Sequence, residues 1–208
     1  RRIDGDVSVS FQERYAGTVL PTGLPPHIYP VMAITNICGN DEVCHIHREA
    51  QLAMKAMPKL LRAVSPDGAL VVNSEDFTLI NALEPHASAP TVYYSLHRNA
   101  PMLRQQLALS GFGVWREDGH VRFGAGEEAP IICRVPDLPY TLNGDAVFQV
   151  TNVLAAVAIA RLVGLTPTEI EIALQSYPPR HSRMPGTMAV LQHNGGRVIV
   201  DRPDPSWF

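Results

Sequence analysis

Two cysteines and two histidines lie close together in the segment ITNICGNDEVCHIHREA, at Cys38, Cys44, His45 and His47. Thiolate and imidazole groups are the usual ligands of structural zinc, so a zinc site is the first chemistry to consider. Zinc-binding cysteines usually stand two to four residues apart and are completed by a second, distant pair. These two are farther apart and no second pair follows, so we expect helix-start histidines and small, semi-buried thiols instead of zinc.

Phosphate-binding glycine motifs do not occur in these residues. Neither G-x-x-x-x-G-K-[ST], the P-loop, nor G-x-G-x-x-G, the dinucleotide fingerprint, is present. Such loops hold phosphates with main-chain N–H groups. We therefore predict that residues 1–208 by themselves do not turn over ATP, because nothing in them can hold its β- and γ-phosphates.

Polar residues follow the predicted strands where ligands bind in open α/β sheets, beyond the carboxyl ends of the strands. They are Asn36, Asn40, Asp41, Asn73 and Asp76. Each one, taken singly, is explained equally well as a turn or cap residue.

Short apolar runs alternate with helical periodicity over the first half of the chain. The pattern predicts strands over residues 30–37, 69–73 and 91–96, and helices over residues 45–64, 75–86 and 100–111. The SPDG sequence at residues 65–68 is expected to stop the first helix. Strands alternating with helices favour a mostly parallel sheet with right-handed crossovers.

The second half of the chain has a different pattern. We predict a hairpin around Asp118-Gly119, extended edge or crossing chain over residues 129–144, and an alanine-rich helix over residues 146–164. A helix capped by Thr166 and Glu169 follows. Residues 178–186 are the best linker candidate, and a last hairpin is centred on Asn194-Gly195.

Composition excludes several classes of function. The net charge of −3 and the scattered basic residues do not predict nucleic-acid binding. No apolar run is long enough to span a membrane, and the first residues lack the apolar core of a signal peptide. Three cysteines, an odd number, argue against a disulfide framework and favour the cytoplasm.

The order of these segments resembles the central domain of the Mur ligase family. VMAITNI, a long helix and then SPDGALVVNSED are similar to that family's T-N-I strand and its N-x-D-D-like segment. TNVLAAVAIA resembles its asparagine-bearing apolar helix, and MPGTMAV with GGRVIVD resembles the start of its C-terminal domain. The hairpin insert and RYAGTVLPTGL are similar to the cyanophycin synthetase branch.

The resemblance implies an α/β fold with a mostly parallel, Rossmann-like sheet and an antiparallel hairpin insert. Residues 1–184 would form the central-type domain and residues 185–208 the first strands of the C-terminal-type domain, with the P-loop before residue 1. It also implies an ATP- and Mg²⁺-dependent amide ligase that works through an acyl phosphate, on an amino-acid or peptide substrate. A homo-oligomer is compatible with this interpretation.

The resemblance also carries site residues over to this chain. Glu13, Asn36 and Asp41 correspond to catalytic positions. Magnesium would be held by Glu13, Thr35 and Asp41, and the nucleotide by Asn152, Arg183 and Asp201.

Several family positions differ here. Asn40-Asp41 replaces an Asp-His pair, Met57 replaces a carbamylated lysine, and Thr187 replaces an arginine. Lys55 and Lys59 lie on other faces of the predicted helix from Met57. Three interpretations stay open: part of an active ligase, a degenerate homologue that acts as a binding or regulatory module, or an unrelated α/β binding domain.

Overall fold

The structure is a computed structural model that describes residues 25–38, 44–83, 86–126, 129–177 and 189–200. Several predicted features lie outside these residues: Glu13, Asn40, Asp41, the linker at 178–186, Arg183, Thr187 and Asp201.

The described residues form eight strands and five α-helices. The strands are β1 (Tyr29–Ile34), β2 (Val64–Asn73), β3 (Thr91–Ser95), β4 (Phe112–Glu117), β5 (His120–Ala125), β6 (Ile131–Arg134), β7 (Ala189–His193) and β8 (Gly196–Val200). The helices are α1 (Arg48–Leu61), α2 (Phe77–Leu83), α3 (Pro101–Ala108), α4 (Val147–Leu162) and α5 (Pro167–Ser176). Short 3-10 helices cover Cys44–Ile46, Val135–Asp137 and Pro139–Gly144.

One sheet contains the first six strands in chain order, β1 to β6. Strands β1 to β4 are parallel, whereas β5 pairs antiparallel with β4 and β6 pairs antiparallel with β5. The predicted α/β fold with a mostly parallel sheet and an antiparallel insert is therefore confirmed. Strands β7 and β8 form a separate antiparallel pair.

The sheet is covered on both faces, as an apolar parallel strand requires. Leu70 and Val72 of β2 pack with α1 and α2, while Val71 between them packs in the cluster that contains the buried face of α4. Successive side chains of a strand point to opposite faces, so one run of four apolar residues serves both layers. Helix α3 packs against β3 and β4 through Leu103 and Leu107.

The boundary between the first helix and the second strand differs from the prediction. The predicted helix at 45–64 is a 3-10 turn followed by α1, which ends at Leu61. Residues 65–68, expected to stop the helix, lie inside β2 as an irregularity: Tyr29 pairs with Val64 but Val31 pairs with Ala69. Gly68 is required there, because a Cβ would collide with the Pro30 carbonyl oxygen.

Residues 129–144 are extended only over β6, so the prediction of continuous extended chain is wrong beyond Arg134. Pro136 and Pro139 stand at the starts of two 3-10 turns, where their fixed φ suits a helical backbone. Strand β6 is an edge strand of the described sheet, as the prolines predict.

The turn and cap predictions are confirmed. Asp118-Gly119 and Asn194-Gly195 connect antiparallel strands with positive φ at both central residues, 49° and 74° in the first and 49° and 77° in the second. Thr166 and Glu169 form a reciprocal capping box at the start of α5. No helix in the described part of the chain is long and apolar enough to cross a membrane.

Candidate functional site

The carboxyl ends of the first three strands meet at one edge of the sheet. Ile34 of β1 is paired with Val72 of β2, and Asn73 is paired with Tyr94 of β3. The polar residues that follow these strands are therefore neighbours, beginning with Thr35 after β1. This is the edge at which open α/β sheets bind their ligands.

Asp76 connects two of these strand ends through its buried carboxylate. One oxygen accepts hydrogen bonds from the N–H groups of Ile37 (2.6 Å) and Cys38 (2.9 Å), in the loop after β1. The other accepts from the N–H of Leu79 (2.9 Å), in the first turn of α2. The side chain is fully buried, and these main-chain N–H groups help to stabilise the carboxylate there.

Glu75 makes the corresponding connection between β2 and β3. Its Oε1 accepts from the Ser95 hydroxyl (2.6 Å) and from the Leu96 N–H (3.0 Å). The Glu75 N–H itself donates to Asn73 Oδ1 (3.0 Å), which closes a local turn at the end of β2. The two adjacent acids therefore hold loops from both neighbouring strands.

Tyr94 connects this hydrogen-bond network to the end of β1. Its hydroxyl donates to the Thr35 carbonyl oxygen (3.2 Å), and its own carbonyl accepts from the N–H and hydroxyl of Ser74. Burial, followed by the negative charges of Asp76 and Glu75, raises the pKa of the Tyr94 phenol above its ordinary value. The phenol thus keeps its proton and remains a hydrogen-bond donor.

Stability should decrease at alkaline pH because three buried groups must stay protonated in the folded protein. Burial raises the pKa of Cys133 to about 12, and raises those of Tyr94 and Tyr140 as well. Since these folded-state values lie above the unfolded ones, their stabilising contribution is complete below about pH 9 and is lost progressively above it.

Urea denaturation at pH 8 and pH 10.5 tests this expectation. The urea concentration at the unfolding midpoint should be lower at pH 10.5. The Cys133→Ala variant should show a smaller decrease, because one titrating group is removed. Equal midpoints at the two pH values in the wild type would contradict the prediction.

The start of α4 lies near the end of β4. Gly144, with φ of 100°, precedes the helix, and a Cβ placed on it would lie 4.0 Å from the Arg116 guanidinium. Asn152 is exposed on the second turn of α4, and its amide donates to the side-chain oxygen of Gln149 (3.4 Å), which is buried. An amide pair thus occupies the first turns of this helix, and Asn152 is the position that the resemblance associates with the nucleotide.

Met57, which stands where the resemblance expects a carbamylated lysine, is a core residue. It is 2% exposed and packs with Leu61, Val64 and Leu79 in the layer between the helices and the sheet. Lys55 is exposed, on a different face of α1. No lysine of α1 therefore takes the position of Met57.

Cys38 and Cys44 form a disulfide, so the interpretation of these two residues as thiols is wrong. Cys44 begins the 3-10 turn before α1, and its Cα lies 5.4 Å from that of Cys38, a distance that a disulfide spans. The pair is buried with Ala50 and Ile37 in a small cluster of its own. Cys133 is free and buried.

The structure describes three of the predicted site residues. Thr35 and Asn36 are exposed at the end of β1, and Asn152 lies on α4. Thr35 offers the hard oxygen ligand that Mg²⁺ prefers; Glu13 and Asp41, the other predicted ligands, lie outside the described residues. Within those residues, no group of three or more His, Cys, Asp and Glu side chains could hold a metal ion.

Sequence reasoning did not find the pairing of Glu75 with Ser95 or the bond from Tyr94 to Thr35. The signal available was the position of each residue at or beside a predicted strand end. The structure shows which strands pair and in which register, and therefore which strand ends are neighbours.

Comparisons with known proteins find the cyanophycin synthetases as relatives. No family model matches the chain. Cyanophycin synthetases from Trichormus variabilis and Synechocystis are each 25% identical to it, over 200 and 199 residues respectively. Both matches cover 95% of this chain, but only 22% and 23% of the two relatives. The chain thus spans less than a quarter of their length.

A solved structure has the same fold. The crystal structure of MurF from Acinetobacter baumannii matches with a TM-score of 0.57 at 16% sequence identity. The match covers 86% of this chain and 35% of MurF.

Proposed function

Because the chain is related to the cyanophycin synthetases and has the fold of a Mur ligase, as its motifs indicate, we propose that it is part of an ATP-dependent amide ligase. Such a ligase activates a carboxylate as an acyl phosphate, which an amine then attacks. We propose an amino-acid or peptide substrate, and the cytoplasm as the location. A disulfide is compatible with the cytoplasm where it is transient or redox-sensing.

The observation that supports this proposal best is the hydrogen-bond network at the carboxyl ends of β1, β2 and β3. Asp76 and Glu75 fix the loops that follow β1 and β3, and Thr35 and Asn36 lie exposed on the fixed loop. Phosphoryl transfer depends mainly on positioning and charge stabilisation, and a fixed polar edge supplies the positioning.

The proposed roles follow the resemblance. Thr35, with Glu13 and Asp41, would hold Mg²⁺, which when bound neutralises phosphate charge. Asn152, Arg183 and Asp201 would contact the nucleotide, and Asn36 would orient the reacting groups. We also propose that residues 1–184 and 185–208 belong to a central-type and a C-terminal-type domain.

A second candidate function is a degenerate homologue that serves as a binding or regulatory module. Met57 favours it, because a fully packed methionine cannot replace a metal-binding lysine.

Two measurements distinguish these candidates. The complete gene sequence should contain a G-x-x-G-K-[ST] motif between a strand and a helix upstream of Arg1 if the protein is a ligase. Isothermal titration of the complete gene product with Mg-ATP should then give binding in the micromolar to low millimolar range. No motif and no binding would exclude the ligase and leave the degenerate module.

A further inference from the structure

We propose that Asp76 is the positioning residue of the candidate site: its carboxylate sets the place of the Thr35-Asn36 loop relative to α2. What the loop binds rests on the function proposed above. That Asp76 positions the loop rests on the hydrogen bonds alone.

The two oxygens of this carboxylate have different partners. Oδ1 caps α2 by accepting from Leu79, and the Asp76 carbonyl accepts the first helical bond from Ile80 (3.0 Å). Oδ2 accepts from the loop after β1, through the N–H groups of Ile37 and Cys38. A single buried side chain thus joins the ends of two neighbouring parallel strands.

Helix capping by itself does not require an aspartate here. Serine, threonine and asparagine cap helices about as well, with one acceptor atom. Their side chains cannot present acceptors to both segments, since asparagine has an NH₂ group in place of the second oxygen and serine has a single oxygen. The second carboxylate oxygen is therefore explained by the loop and not by the helix.

The loop is held at both ends of a four-residue segment. Tyr94 donates to the carbonyl oxygen of Thr35, and Asp76 accepts from the N–H groups of Ile37 and Cys38. The side chains of Thr35 and Asn36 remain exposed between these two anchors. Anchored main chain with exposed polar side chains is the arrangement that fixes ligand-binding groups before the ligand arrives.

Two variants of this chain separate the cap from the loop. Asp76→Ser keeps an acceptor for the cap but not for the loop, whereas Asp76→Ala removes both. We expect hydrogen exchange of the main-chain amides of Ile37 and Cys38, measured by NMR, to become about tenfold faster in both variants. Exchange at Leu79 should accelerate only in the alanine variant.

Thr166→Ala is the matched control, because it removes the cap of α5, which is not part of the candidate site. Exchange at Ile37 and Cys38 should be unchanged in it. If Asp76→Ser leaves the exchange of these two amides at the wild-type rate, Asp76 is only a helix cap and the proposal is wrong.

The same variants in the complete gene product test the link to function, with Mg-ATP binding measured by titration. Weaker binding in Asp76→Ser than in Thr166→Ala supports a positioning role in the site. If the wild type binds Mg-ATP and the two variants bind it equally well, that role is excluded. If the wild type does not bind, the proposed function fails, while faster loop exchange in Asp76→Ser still supports loop positioning.

Discussion

Replacing Leu154 with alanine is expected to lower the free energy of unfolding by about 2–5 kcal/mol. Leu154 is fully buried in α4 and belongs to the cluster that joins this helix to the sheet. Removing three carbon atoms there loses the transfer free energy of the side chain and leaves a cavity that packed neighbours cannot fill. The substitution should therefore destabilise the fold strongly while leaving the polar edge of the sheet chemically unchanged.

Leu109→Ala is the matched control, because the same atoms are removed from a side chain that is 75% exposed. Its cost should stay within about 0.5 kcal/mol. Urea denaturation followed by circular dichroism measures both. Equal midpoints for the two variants would mean that α4 does not pack on the sheet as the structure shows.

Helix α4 links stability to the candidate site. Its buried face contains Leu154, whereas Asn152, two residues earlier, is exposed beside Gln149. A core that fixes the helix also fixes the position of Asn152, the proposed nucleotide-binding residue. If Asn152 contacts the nucleotide as proposed above, loss of packing at Leu154 should reduce nucleotide binding indirectly, whereas a change at Asn152 should reduce binding with little effect on folding.

Much of the fold could be predicted because its signals are local. The apolar run of β2 and the alternation of strands with helices predict a parallel sheet. Asp118-Gly119 and Asn194-Gly195 predict hairpins because both residues of such a turn need positive φ. Thr166 and Glu169 cap α5 through contacts three residues apart.

Other features could not be predicted because they depend on contacts between distant segments. SPDG has the composition of a turn, yet Val64 and Ala69 on either side of it pair with β1, so it lies within β2. The bond from Ser95 to Glu75 spans 20 residues and that from Tyr94 to Thr35 spans 59. Such contacts follow from which strands pair and in what order, and the local sequence pattern of each strand does not determine that order.

The disulfide was missed for a related reason. The number and spacing of cysteines describe zinc sites and disulfide frameworks, but not the path of a single loop. The bond joins the end of the described loop after β1 to the first residue of the 3-10 turn before α1. Ile37 and Cys38 also donate hydrogen bonds to Asp76, so the disulfide and the carboxylate hold the same loop.

Reducing this disulfide is expected to lower the free energy of unfolding by about 2 kcal/mol. The bond closes a short loop, because the two cysteines are six residues apart in sequence. Removing it increases the conformational entropy of the unfolded chain. Urea denaturation with and without dithiothreitol measures the effect, which should disappear in the Cys38→Ser/Cys44→Ser double variant. Cys133→Ser is the control that should keep the full response, because Cys133 lies outside the disulfide. If the reductant leaves the wild-type midpoint unchanged, the bond does not stabilise the fold, and Asp76 must hold the loop after β1 without its help.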